Sequence, residues 1–248
     1  MTTAQIVVPG IAAFVAGAMN SVAGGGSFLS FPALVFAGIP PISANATNNA
    51  AMWVGTIGSA RGYREEVAAH RGFLLPVICA SIAGSLIGAC LLLITPQALF
   101  VRLIPWLLLF ATVVFAASPR LVRETSIVPQ HSPWRLALQF AIAIYGGYFG
   151  AGMGILMLAL LAFSGLPSFN EQNAVKNVLA VAINGIALVP FVIARIVDWH
   201  FAVPMAVIAL LGGYFGARFF RRVPQPICRA IVVTVGTVMT LVFFARTF

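Results

Sequence analysis

Long apolar runs divided by short polar clusters set the pattern of this chain. The runs cover 5–22, 72–94, 98–117, 134–150, 174–194, 201–217 and 226–244. Most approach the twenty or so apolar residues that an α-helix needs to cross a bilayer. The shorter ones imply tilted or broken helices. The runs are continuous, as in "LLLITPQALFVRLIPWLLLFATVVFA". A membrane β-barrel would instead alternate apolar and polar positions over about ten residues per strand. The pattern therefore predicts an all-α membrane protein, a polytopic bundle of about 8 to 10 helical segments.

One run is interrupted in a distinctive way. Residues 21–55 read "SVAGGGSFLSFPALVFAGIPPISANATNNAAMWVG". Gly24, Gly25 and Gly26 break the chain, ten or so apolar residues follow, and Pro40 and Pro41 break it again. Residues 28–37 are too few to cross a core about 30 Å thick. They predict a short helix paired with a following helix over 44–60, as a hairpin or re-entrant pair, with Ser43 or Asn45 as N-cap. Backbone groups freed at membrane depth cannot be satisfied by lipid, so the breaks must face protein or a watery cavity.

The interruption recurs. "AGGGSFLSFPALVFAGIPP" (23–41) lies over "GAGMGILMLALLAFSGLPS" (150–168), placing Gly25 on Gly152 and Pro40 on Pro167. "NATNNAA" then lies over "NAVKNVL", pairing Asn45 with Asn173, Asn48 with Lys176 and Asn49 with Asn177. Pro76, Gly84, Gly88 and Pro96 meet Pro204, Gly212, Gly216 and Pro224. The offset stays at about 127 to 128 residues. The chain thus divides into a repeat at 1–117, a polar linker at 118–133 and a repeat at 134–248, within one transmembrane domain spanning 1–248. The second copy predicts a short helix over 154–164 and a longer one over about 172–194.

Charge orients the repeats. Basic residues favour the cytoplasmic side. Three arginine groups stand at span ends: Arg61, Arg64 and Arg71; Arg120, Arg123 and Arg135; Arg218, Arg221 and Arg222. All three share a side only if 134–200 crosses the membrane an odd number of times. That makes the two halves inverted-topology repeats and leaves Arg195 and Arg246 outside.

Composition agrees with the pattern. The chain is 61% hydrophobic and 8% charged, with mean hydropathy +1.03, where a soluble domain carries about 25% charged residues. The net charge of +9 comes from arginines at span ends and fits orientation and lipid headgroups; no basic-aromatic cluster points to nucleic acid. The start, "MTTAQIVVPG", has no basic residue ahead of its apolar stretch, so the first span is expected to stay in the mature protein. Cys79, Cys90 and Cys228 lack metal spacing and read as small core residues. His70, His131 and His200 fall in predicted loops or helix ends, so no metal site is expected. "YGGYFGAGMG" has no Rossmann context and no P-loop is present, so no nucleotide or other cofactor is expected.

Candidate chemistry gathers at the two breaks. Gly24, Gly25, Gly26 and Ser27, with Gly150 and Gly152, place two helix N-termini where an anion could bind. Asn45, Thr47, Asn48 and Asn49 follow the first break; Asn173, Lys176, Asn177 and Asn184 follow the second. Asn45 and Asn49 share a helical face, as do Asn173 and Asn177. Lys176 is the single lysine, and an intramembrane lysine is a functional candidate by default. Competing readings are close helix packing for the glycines, interhelical hydrogen bonds for the asparagines and an ion pair with Glu171 for Lys176.

The Gly-Gly-Gly after the first helix, the "FPALVFAGIPPISANATNN" that follows and the weaker second copy resemble the TauE/SafE sulfite exporter family of TSUP membrane transporters. The likeness covers nearly the whole chain, through motif positions Gly24, Gly25, Gly26 and Pro40, with Gly150, Gly152 and Pro167. Ala151 and Met153 depart from the first copy's glycines. The resemblance implies a bacterial inner-membrane protein that carries small anions such as sulfite, sulfonates or sulfoacetate, or other organic acids. The partners expected are the anion and membrane lipid, with a homodimer among the assemblies admitted. An alternating-access exporter competes with an anion channel on the same motifs. An enzyme, which needs a nucleophile–base pair or metal cluster, and an assembly factor rank behind both.

Overall fold

The computed structural model describes residues 3–22, 24–62, 71–123, 132–164, 166, 169–219 and 225–247. Pro167, Arg64, Arg221, Arg222, His70 and His131 lie outside the described residues, as does half of the expected linker. The described residues form ten α-helices and no strand. In the first half these are α1 (Thr3–Val22), α2 (Ser27–Phe36), α3 (Pro41–Gly62), α4 (Arg71–Ile94) and α5 (Gln97–Arg123). In the second they are α6 (Pro133–Tyr148), α7 (Met153–Ala162), α8 (Phe169–Ile193), α9 (Trp199–Phe219) and α10 (Gln225–Thr247). Helix α5 continues six residues into the expected linker.

Among the described residues five helices are long and apolar enough to cross a membrane: Ala4–Ser21, Leu74–Ile94, Gln97–Val114, Glu171–Ile193 and Trp199–Gly216. Helices α2 and α7 have ten residues each. At 1.5 Å per residue they reach about 15 Å, half the hydrocarbon thickness. This is a polytopic helical membrane protein with two half-length helices, as the interruptions predict.

Backbone chemistry makes the breaks. Gly24 and Gly25 take φ of 78° and 83° after α1; Gly150 and Gly152 take 74° and 80° after α6. Side chains with a Cβ rarely adopt such angles. The Gly24 amide donates to Met19 O (3.1 Å) and the Gly150 amide to Tyr145 O (3.3 Å). These bonds make Gly150 the counterpart of Gly24, one residue from the pairing read in the sequence. Helix α2 ends in a Schellman motif: Gly38 takes φ 94°, its amide donates to Val35 O and that of Ile39 to Leu34 O. Helix α3 then begins at Pro41, whose fixed φ suits a first helical position. Ser43 and Asn45 therefore stand inside α3 and do not cap it.

Helix contacts follow one rule. Helix α4 packs on α6 and α1 on α9; α3 on α9 and α4 on α8; α1 on α2 and α6 on α7; α2 on α3 and α7 on α8. Helices α3 and α8 pack on each other, and so do α5 and α10. Exchanging α1–α5 with α6–α10 returns this same set of pairs. Matched glycines make close approaches. A Cβ on Gly84 or Gly88 would collide with Phe140 or Ile144 of α6, and one on Gly212 or Gly216 with Phe14 or Ala18 of α1. Small residues let membrane helices meet backbone to backbone.

The core is aromatic and aliphatic at its centre, where Phe28 and Phe31 of α2 pack with Phe100, Ile104 and Leu108 of α5. The outer faces are apolar and exposed, as at Ile6, Ile11, Leu75, Phe110, Val203 and Leu241, which is the surface that lipid requires. Trp106, Trp134 and Trp199 stand on this outer surface. Cys79 and Cys90 also face outward, which corrects the expectation of core cysteines. On a spanning helix an apolar residue is equally at home against lipid and protein, so hydrophobicity did not reveal its direction.

Candidate anion site at the broken helices

The two glycine turns bring the N-termini of α2 and α7 together at the centre of the molecule. A Cβ on Gly24 would sit 3.3 Å from the backbone of Gly154. Each N-terminus leaves backbone N–H groups without intrahelical acceptors and carries about half a positive charge. Both border one cavity of about 40 Å³. At about 10–15 Å³ per water, it has room for about three.

The cavity walls come in matched pairs from α3 and α8: Asn48 with Lys176, Asn49 with Asn177, Met52 with Ala180, and Thr56 with Asn184. Gly24, Gly25 and Ser27 of the first turn and Gly150, Gly152, Met153 and Gly154 of the second complete the lining. Asn49 Nδ2 donates to Asn184 Oδ1 at 3.2 Å, and Trp53 Nε1 to Val181 O at 3.1 Å, so α3 and α8 are joined where they cross.

Lys176 is buried, at 2% exposure. Its Nζ donates to Asn20 O at 3.0 Å, in the last turn of α1, where carbonyls lack helical partners. Among the described residues Asn20 O is its one hydrogen-bond partner, which leaves other N–H groups for a ligand. Asn177 is fully buried, and neither of its amide heteroatoms has a partner among the described residues. A buried polar group without a partner costs about 1–3 kcal/mol, so this amide is a candidate ligand contact. Among the described residues the cavity lining contains no Asp or Glu, and there is no group of three or more His, Cys, Asp or Glu that could bind a metal.

Of the residues expected at the site, Gly24, Gly25, Ser27, Asn45, Asn48, Asn49, Gly150, Gly152, Lys176 and Asn177 line the cavity. Gly26, Thr47 and Asn173 do not. Thr47 lies on the far side of α3, where its Oγ1 accepts from the Asp198 amide at 2.9 Å. Gly26 cannot face the cavity because it is pressed against Ala16 of α1. Asn173 donates to Ser21 O at 3.0 Å, and Asn48 Oδ1 accepts from Ser30 Oγ at 2.5 Å. Asn20 was missed. Its Oδ1 accepts from the Gly26 amide at 2.9 Å, and it borders the cavity. An amide in the apolar helix just before the glycines was the available signal. Tyr145 was missed too; its hydroxyl donates to Ala151 O at 2.6 Å and steadies the second glycine turn.

Comparison with known proteins agrees with this architecture. The chain is 29% identical to the "Probable membrane transporter protein ORF9" of a Sinorhizobium species over 238 residues, covering 93% of this chain and 89% of that protein. It is 29% identical to the "Probable membrane transporter protein YfcA" of Escherichia coli K12, covering 92% and 85%. It is 26% identical to a "Probable membrane transporter protein" of Haemophilus influenzae, covering 92% and 89%. No solved structure matches. The model of the family described as "Sulfite exporter TauE/SafE" matches residues 10–243, so this multi-pass membrane transporter belongs to the TauE/SafE family.

Proposed function

We propose that the protein is a secondary transporter that moves a compact sulfur oxyanion out of the cell by alternating access. The observation that carries this reading is the convergence of two half-helix N-termini, Lys176 and the Asn177 amide, unpartnered among the described residues, on one cavity whose described lining holds no carboxylate. Lys176, when protonated, contributes one positive charge and the two N-termini together about one more. The total of about +2 matches a dianion. A cavity of about 40 Å³, with room for about three waters, favours a compact ion such as sulfite over a longer sulfonate. The outward direction follows the description of the family.

The exchange of helix pairs between halves supports two repeats at 1–117 and 134–248 joined by 118–133, and the arginine groups at span ends favour their inverted arrangement. In such transporters broken helices meet near the bilayer midplane, and one repeat rocks against the other around a fixed site.

The test is counterflow in proteoliposomes with sulfite, sulfate, thiosulfate and sulfoacetate, comparing wild type with Asn177→Ala. Saturable sulfite exchange, weakened in the variant, is the expected outcome. Preferential exchange of sulfoacetate would refute the size argument. Large currents without saturable exchange would replace the carrier with a channel.

A further inference from the structure

Two asparagines expected to hold the substrate are engaged elsewhere, in a reciprocal way. Asn45 of α3, in the first half, donates through Nδ2 to Tyr148 O at 3.0 Å. Tyr148 is the last residue of α6, in the second half. Asn173 of α8, in the second half, donates through Nδ2 to Ser21 O at 3.0 Å. Ser21 lies in the last turn of α1, in the first half. Asn45 and Asn173 are matched positions of the two repeats, and the carbonyls they cap fall within one residue of matching.

The carbonyls concerned are among those that a helix end leaves unpaired. At membrane depth lipid cannot satisfy them, so a protein donor or cavity water must. The nearest chain continuation cannot supply one. After each carbonyl the backbone turns through glycines at positive φ, so the following amides point away from a regular helical path. A side-chain amide from the opposite half fills the gap. It does so immediately before the residues that form the N-terminus of α2 or α7, which are the walls of the cavity.

We infer that Asn45 and Asn173 are reciprocal positioning residues: each half of the molecule holds the glycine turn of the other. Neither turn is shaped by its own repeat alone. The anion cradle exists only while both halves are docked, and a movement of one half is transmitted to the turn of the other. The local chemistry favours this over a ligand role. Asn173 does not border the cavity, and Asn45, which does, has one amide N–H held by the Tyr148 carbonyl. The functional consequence rests on the reading of the cavity as an anion site; the clamp itself does not.

The test is hydrogen exchange by mass spectrometry on the purified full-length protein, with Asn45→Ala and Asn173→Ala. In Asn173→Ala, exchange should rise about tenfold in the turn at 21–27, in the other half, with the turn at 148–152 unchanged. In Asn45→Ala the pattern should reverse. Increased exchange confined to the mutated helix, or spread evenly over the chain, would overturn the proposal. Asn45→Gln and Asn173→Gln retain the donor and guard against variants that fail to fold; they should restore protection at least in part. Sulfite counterflow on the same proteins completes the test. A cross-half exchange pattern with counterflow unchanged would overturn the positioning role. A cross-half pattern with no sulfite exchange even in wild type would leave the clamp standing and remove the anion reading instead.

Discussion

Lys176→Met is the substitution that most directly probes the charge of the cavity. Methionine keeps the length of the stem, which runs past Gly154, where a Cβ would lie 3.6 Å from Lys176 Cδ. It removes the ammonium and the donor to Asn20 O. Two unit charges about 4 Å apart attract by about 4 kcal/mol at an effective dielectric constant of 20. Against this, the buried ammonium no longer needs to be desolvated, and the two helix N-termini remain. A net loss of about 2–4 kcal/mol in anion binding follows, or about 30- to 1000-fold in affinity. Stability should move much less. Replacing a buried charge by an apolar group is often neutral, while the lost donor to Asn20 O costs about 1 kcal/mol. The assay is sulfite binding by calorimetry in detergent, with thermal unfolding of the same samples as control. A variant that folds and binds sulfite within about threefold of wild type would refute the reasoning and remove Lys176 from the site.

Two further predictions follow from backbone geometry. At Gly152, with φ 80°, a Cβ would lie 2.7 Å from Ala111 Cβ and 3.1 Å from Phe28 Cζ; at Gly38, with φ 94°, it would meet nothing within 4 Å. Gly38→Ala should therefore cost only the left-handed penalty of about 1–2 kcal/mol, while Gly152→Ala adds about 1–3 kcal/mol of overpacking; equal melting temperatures for the two in detergent would contradict this. Arg195 is exposed and takes φ 55° between α8 and α9. Arg195→Gly should stabilise the protein by up to about 1 kcal/mol, and a lowered melting temperature would show that the guanidinium makes a contact worth more than the backbone strain.

The reading of the broken helices shows what a linear pattern can hold. Apolar runs about twenty residues long have few fates other than membrane helices, and glycine and proline clusters inside them mark places where a helix must stop. Gly24, Gly25, Gly150 and Gly152 behave so because backbone conformation is a local property. The duplicated offset likewise pointed to α2 with α3 and α7 with α8 as equivalent pairs. Local signals said less about the ends of helices: Pro41 opens α3, where Ser43 and Asn45 have the better side chains for a cap. They said nothing about which side of α4 carries Cys79 and Cys90.

The sequence by itself determined that this chain is a helical membrane protein with two matched interruptions, because burial in lipid and backbone sterics act on each stretch independently. It also placed the asparagines on shared helical faces, since a 3.6-residue period alone decides that. Only the tertiary structure decided what those faces meet. Asn45 and Asn49 are separated by one turn, about 6 Å along the helix, which is twice the length of a hydrogen bond. Within that distance one partner is a carbonyl of the opposite half and the other is an amide across the cavity. Periodicity specifies direction around a helix but not depth along its neighbour. That depth was set by the crossing of α3 with α8 and by the meeting of two glycine turns more than a hundred residues apart.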